Sequence, residues 1–289
     1  MRIVLSRKGF DSQYGAVASP ILPTGEMMSL PIPSGDDPHT IGDLWPKRQG
    51  FSKLFSDLTG GRVDSSSPIH LDPDLDADTL ERLPGWRPSF GQIAAAQSHL
   101  ANRGVGPGDL FLFFGWFKAV EDANGLWRYV RGAPDLHVMF GWLQIEATFS
   151  VPRNPVELTR MHPWLAGHPH VARASEYNSG NNTIYVGRDR LELNGLRETM
   201  PGSGLFGKFD ARLQLTTPGK TRSAWRLPRW FLPSDGRPRL SYHENPERWT
   251  IDGNEVVLQA VAKGQEFVLD TANYPEAERW AAGLIGGRG

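Results

Sequence analysis

Two long apolar runs constrain this chain more than anything else in it. They are Leu110-Phe-Leu-Phe-Phe-Gly-Trp-Phe117, introduced by Gly108-Asp109, and His137-Val-Met-Phe-Gly-Trp-Leu-Gln-Ile-Glu146. The first reads as a fully buried strand and the second as its antiparallel mate, joined by a polar loop that contains Asn124-Gly125. With 32 glycines and 23 prolines, the rest of the chain must consist of short elements joined by many turns. The expected class is therefore α+β: a mixed or mainly antiparallel sheet core, with barrel-like closure as one option, and flanking helices. A helical bundle is excluded.

At 289 residues the chain can bury one large core or two modest ones. One continuous unit over 1–289 is expected, and the only weak point is the Pro-, His-, Gly- and Asn-rich stretch 150–182. Hydrophobic residues at 39% and charged residues at 22% describe an ordinary globular protein. A net charge of −1 gives no global field that would draw the chain to nucleic acid or an acidic membrane. The absence of cysteine excludes disulfides, thiolate zinc sites and a cysteine nucleophile. No window approaches a transmembrane span, and Ile3-Val-Leu5 is too short for a signal peptide's hydrophobic region. No membrane role and a cytoplasmic location are the expectation.

Further elements can be read from local pattern. Residues 2–6 read as a buried strand, and 18–33 as a hairpin-like excursion turning at Pro23-Thr-Gly-Glu26. Ile41 to Leu58 has helical spacing, with Pro46 in its first turn. Phe90 to Arg103 reads as the clearest helix, capped by Ser89 and ended by Gly104. Thr183–Val186 is expected to pair with Arg190–Leu193, and Val256–Leu258 with Glu266–Leu269; Pro275 to Ile285 closes the chain as a helix.

The first strand runs straight into Ser6, Arg7, Lys8, Asp11 and Ser12. A rigid strand end can hold charged groups in fixed geometry, which suits an anion or nucleotide pocket. Arg7 would supply a fork of donors, Lys8 a point charge and Asp11 an acceptor or base. The plainer alternative is a solvated strand end with an Asp/Ser turn. A second cluster, His70-Leu-Asp-Pro-Asp74, places His70, Asp72 and Asp74 on one face of an extended segment. His70 and Asp72 could form part of a two-histidine, one-carboxylate iron site completed by His137, His168, His170 or His243. A reading without metal is at least as good: Asp72 or Asp74 anchors Arg7 or a ribose hydroxyl while His70 shuttles a proton. The structural alternative is an Asp-Pro turn, with Asp76 or Asp78 capping the segment that ends at Leu83.

His162, His168 and His170 have spacing that permits metal binding, but no carboxylate lies near them in sequence and a solvated loop is favoured. No metal is assigned. Glu266 enters a late strand as the catalytic glutamate does in ADP-ribosyltransferase folds, an analogy of placement only. Pro218 to Leu240 sets six basic residues against Asp235, with Trp225, Trp230 and Phe231 interleaved. Arg222, Arg226 and Arg229 meeting phosphates while Trp225 and Trp230 stack on bases would be single-strand or flipped-base contact. A surface with core tryptophans and paired arginines fits the same residues.

Six ordered motifs carry a family resemblance: Arg7-Lys-Gly-Phe-Asp-Ser12, Ser19-Pro-Ile-Leu22, Ser29-Leu-Pro-Ile-Pro33, His70-Leu-Asp-Pro-Asp74, Gly108-Asp-Leu-Phe-Leu-Phe-Phe114 and Gly264-Gln-Glu-Phe-Val268. Together they resemble the bacterial and phage proteins of the nucleotide modification associated domain 3 family, over essentially the whole chain. The resemblance implies an α/β architecture and a link to base modification, and it transfers no catalytic residue. The leading expectation is a transferase acting on a nucleotide or base, with Arg7, Asp11, His70, Asp72, Asp74 and Glu266 catalytic. Ser6, Lys8 and Ser12 would bind ligand beside them. The alternative is a module that binds modified bases in nucleic acid and does no chemistry; a third is a purely structural partner. The residues fix no cofactor, NAD and iron both being compatible.

Overall fold

The two apolar runs lie at the centre of the main sheet, because neither offers a face to water: Leu136 to Ile145 is buried at every position. The structure is a computed structural model. It describes all residues except 11–15, 47–49, 178–179, 197, 234–236, 238–239, 263 and 288–289. In chain order its first elements are β1 (Arg2–Arg7), β2 (Ser19–Ile21), β3 (Ile32–Pro33), β4 (His39–Thr40), α1 (Phe51–Thr59), β5 (Pro68–His70), β6 (Ser89–Gln92) and α2 (Ala94–Asn102). The central region holds β7 (Leu110–Ala123), β8 (Leu126–Tyr129), β9 (Leu136–Ser150), α3 (Val156–Met161), α4 (Pro169–Ala172) and β10 (Thr183–Gly187). The last elements are β11 (Ser203–Leu205), β12 (Ala224–Pro228), β13 (Trp249–Asp252), β14 (Glu255–Gln259), β15 (Glu266–Asp270) and α5 (Glu276–Ile285).

The main sheet runs β15-β1-β7-β9-β10-β6, with β2 and β8 on β7 and β11 on β9. β1 and β2 lie parallel to β7; the other pairings are antiparallel, so the sheet is mixed. Two three-stranded sheets, β12-β14-β13 and β3-β5-β4, flank it. No closed barrel forms among the described residues, but the sheet curls hard. Phe90 on β6 is three strands from β7, about 14 Å in a flat sheet, yet its ring centroid lies 5.0 and 5.3 Å from Phe111 and Phe113. The two end strands meet through side chains: Gln92 Nε2 on β6 donates to Glu266 Oε1 on β15 at 2.7 Å.

Several local expectations give way to tertiary pairing. Phe90 to Gln92 is strand, not helix, because it pairs with β10 and sends the fully buried Phe90 into the core. Ser89 is accordingly no helix cap; it exchanges two backbone hydrogen bonds with Asp74. α2 starts only at Ala94, and Gly104, at φ +67°, ends it as expected. The helical spacing over 41–58 splits into a short 3₁₀ turn at Ile41–Asp43, closed by Asp43 accepting from the Thr40 N–H, and α1. Pro46 precedes that helix. Arg190–Leu193 is not a strand: β10 pairs with β6 and β9 instead. β14 joins β12 and β13, whereas β15 joins β1. Within 150–182, Leu158, Leu165 and Val171 are buried and pack with Ile184 of β10 as their own cluster.

Buried histidines make the fold acid-sensitive. His243 is fully buried, donating from Nδ1 to Ser241 O at 2.9 Å and accepting the Val261 N–H at Nε2. Burial holds it neutral, its pKa lowered from 6.5 to about 4. The unfolded chain therefore takes up this proton first as pH falls. The stability it contributes is complete above about pH 6.5 and is lost down to about pH 4, at roughly 1.4 kcal/mol per unit. His137, His168 and His170, also buried and lowered, act with the same sign and outnumber Asp72, which burial raises to about 7 and which acts with the opposite sign. Urea unfolding at about pH 7, 6 and 5 should show stability falling at each step; a constant midpoint would contradict this.

Candidate active site

At the end of β1, side chains alternate across the strand. Ser6 and Lys8 turn to one side and Arg7 to the other. Arg7 Nη2 donates to Ala262 O at 2.8 Å and also to Gly264 O, tying it to the approach to β15. Lys8 Nζ instead meets Glu266 Oε1 at 2.8 Å and lies 4.4 Å from the Phe90 ring centroid. Lys8 is almost buried and Glu266 completely so. Ser6 sits directly opposite Glu266 in the antiparallel ladder, so the two share a face. Ser6 Oγ and Glu266 Oε2 are buried with no hydrogen-bond partner among the described residues, and such pairs of orphaned atoms usually mark a place for a ligand or water.

β5 delivers the second cluster to the same junction. His70 Nδ1 faces Asp37 Oδ2 at 3.0 Å, which leaves Nε2 turned toward Asp72 Oδ2 at 3.9 Å. Asp72 Oδ1 accepts the Gly91 N–H of β6 at 2.9 Å. The short helix α4 then brings in His170, whose Nε2 lies 3.6 Å from Asp72 Oδ2. A Cβ on Gly91 would stand 2.4 Å from the His170 ring, so only glycine lets β6 pass so close. His168 Nε2 lies 3.9 Å from Asp72 Oδ1 and is buried without a hydrogen-bond partner among the described residues.

Hydrogen bonds fix the tautomers. Asn182 Nδ2 donates to His170 O at 2.8 Å, which turns Asn182 Oδ1 toward His170 Nδ1 at 2.7 Å. His170 therefore carries its proton on Nδ1 and presents a bare lone pair at Nε2. His168 Nδ1 accepts the His170 N–H at 3.2 Å, so its proton is on Nε2. Burial pushes Asp72 up to about 7, against the opposing pull of the His70 and Lys8 charges. Burial, reinforced by the His70 charge, pushes His170 down to about 3, and His168 also lies well below the ordinary range.

The junction thus gathers Ser6, Lys8, His70, Asp72 and Glu266 from the sequence-based set. Asp74 is not among them: the chain turns after Asp72, and Asp74 is held by both guanidinium nitrogens of Arg82 and by Trp86 Nε1. Asp76 caps only a turn, accepting the Asp78 N–H. Asp11 and Ser12 lie outside the described residues. His168 and His170 are not in a solvated loop; their carboxylate neighbour is distant in sequence. His162 rests against Phe149, and His137 and His243 belong to the core around Trp225.

Among the described residues, the basic and aromatic run does not reach this junction. Trp225 is 1% exposed and donates from Nε1 to His137 Nδ1, leaving no face for a base. Trp230 stacks on Phe231 and packs edge-on against Trp280. Arg222 covers the Trp116 ring, Arg226 meets Glu255, and Arg229 donates to Gly253 O. Sequence reasoning missed Asp37, Gln92 and Asn182 as parts of the site and set His168 aside in solvent. Asp37 follows another aspartate in a short stretch of polar residues, and no local pattern distinguishes it.

From Asp72 a cleft opens toward Gly9, walled by Met28, Leu30, Trp45 and Phe140. No helix among the described residues is long and apolar enough to cross a membrane. A family model described as nucleotide modification associated domain 3 matches residues 2–270. No curated protein and no solved structure matches the chain.

Proposed function

Because the chain belongs to the nucleotide modification associated domain 3 family, we propose that it is a cytoplasmic enzyme, a transferase that modifies a nucleotide or a DNA base at the β1–β6–β15 junction. One observation carries this reading. Two polar clusters far apart in sequence meet at adjacent residues of β6: Lys8 and Gln92 share Glu266 Oε1, and Gly91 donates to Asp72 beside His70. Burying so many ionisable groups costs stability and is characteristic of sites that do chemistry.

In this reading the apolar cleft beside Asp72 takes the base, as planar rings fit between methionine, leucine and aromatic side chains. Lys8 offers positive charge to a phosphate. Glu266, with Oε2 unclaimed, offers an acceptor where positive charge develops at the sugar or base. The alternative of a module that only binds modified bases loses its main support, since Trp225 is enclosed in the core.

Mass spectrometry tests it. Nucleotides and DNA are incubated with the protein, with and without NAD or ferrous iron. The expected result is a mass shift on a nucleotide or base that Glu266→Gln abolishes. No shift under any condition, with binding to modified DNA retained, would leave the reader module as the better account.

A further inference from the structure

We propose that His70 Nε2, Asp72 Oδ2 and His170 Nε2 bind one divalent transition-metal ion. This deepens the enzyme reading of the same junction and rests on geometry. The three residues' donor atoms lie within 4.8 Å of one another. Asp72 Oδ2 is 3.9 Å from His70 Nε2 and 3.6 Å from His170 Nε2. Donors about 2.1 Å from a common ion stand roughly 3.0–3.6 Å apart at angles of about 90–120°. Small side-chain rotations close the difference.

What distinguishes this cluster from a chance meeting of polar groups is its supporting layer. Each ligand has its second polar atom occupied, so that the free one points inward. Asp37 takes His70 Nδ1, Asn182 takes His170 Nδ1, and the Gly91 N–H takes Asp72 Oδ1. Histidine ligands in metal sites are held this way, by a carboxylate or carbonyl on the far nitrogen. Arg173 Nη1 lies 3.6 Å from Asp37 Oδ2 and offsets the charge of that outer carboxylate.

His168 is a different case. Its Nδ1 accepts the His170 N–H, so Nε2 carries a proton and has no lone pair for a metal. It is a buried donor, without a hydrogen-bond partner among the described residues, aimed at Asp72 Oδ1 from 3.9 Å. Its role is to position the carboxylate or a water on the ion. Three protein ligands leave coordination positions open on the ion, as substrate chemistry requires. Two imidazoles and one carboxylate suit ferrous iron first, with zinc and manganese as competitors.

The test is metal content, read without turnover. Protein stripped with chelator is re-loaded with Fe(II) under anaerobic conditions, Zn(II) or Mn(II), desalted and measured by elemental mass spectrometry and thermal unfolding. Expected are one ion per chain for at least one metal and a raised unfolding temperature. Asp72→Asn and His170→Gln should reduce occupancy below a tenth, whereas His168→Gln should retain it. Asp37→Asn should weaken affinity by about 10–100-fold. No stoichiometric uptake of any of the three ions by folded wild-type protein overturns the proposal. So does wild-type affinity in folded Asp72→Asn. A protein that binds metal but modifies no nucleotide overturns the enzyme reading alone; modification by folded protein that takes up none of the three ions overturns this one alone.

Discussion

Replacing Lys8 with methionine is expected to destabilise the protein by about 3–5 kcal/mol, an effect far beyond that of an ordinary surface substitution. The Lys8–Glu266 pair is 2.8 Å long, with side chains 9% and 1% exposed. Solvent can do little for a charge left there. Lys8→Met strands the Glu266 carboxylate, with Gln92 Nε2 left to support it. The double variant Lys8→Met/Glu266→Gln removes the stranded charge and should recover most of the loss, because buried ion pairs tend to be near neutral against uncharged replacements. Neither variant should modify nucleotides. Urea unfolding of the single and double variants measures the pattern. A single variant within about 1 kcal/mol of wild type would mean the pair behaves as a solvated one, and the enclosed junction would be wrong.

The second large effect concerns the tryptophan whose sequence neighbours suggest a base-stacking surface. Trp225→Ala should cost about 3–5 kcal/mol, the range for deleting a buried large aromatic. Its ring packs against Phe114 and Phe267, with centroids 4.9 and 5.8 Å away. Its Nε1–H is also the partner of His137 Nδ1 at 2.9 Å. Trp225→Phe keeps much of the packing but orphans that buried nitrogen, at about 1–3 kcal/mol. Chemical denaturation of both variants, beside nucleotide binding measured on the folded fraction, separates the roles. Undiminished stability with lost binding would return Trp225 to the surface role.

Much of this molecule was legible from its pattern of residues. The buried strands at 110–117 and 137–146, the opening strand, the turn at 23–26, the closing helix and the mixed-sheet class can be traced to hydrophobic runs and turn residues, which act over a few residues. Ser6, Lys8, His70 and Asp72 were singled out because unusual density of polar groups at strand ends is itself local, and Glu266 by its place at the start of a late strand. Long-range pairing was not legible. Phe90-Gly-Gln92 has no strand alternation strong enough to override its helical surroundings. It is a strand because β10 needs a partner and the core has room for Phe90.

The same division separates the two readings of the histidines. Composition alone determined that no thiolate can ligate a metal here, since the chain has no cysteine. The sequence also determined that Lys8 and Glu266 would each stand at a strand end beside apolar residues. Only the tertiary structure decided that His170 stands beside Asp72 rather than in solvent. The chain between them must first be folded into β6, β7 and β9, a long loop whose closure no local preference can direct. Curling of the sheet then brings Gly91 under the His170 ring and Gln92 to Glu266. No local residue pattern encodes that approach, because it is the sum of small twists and bends distributed over the strands of the main sheet.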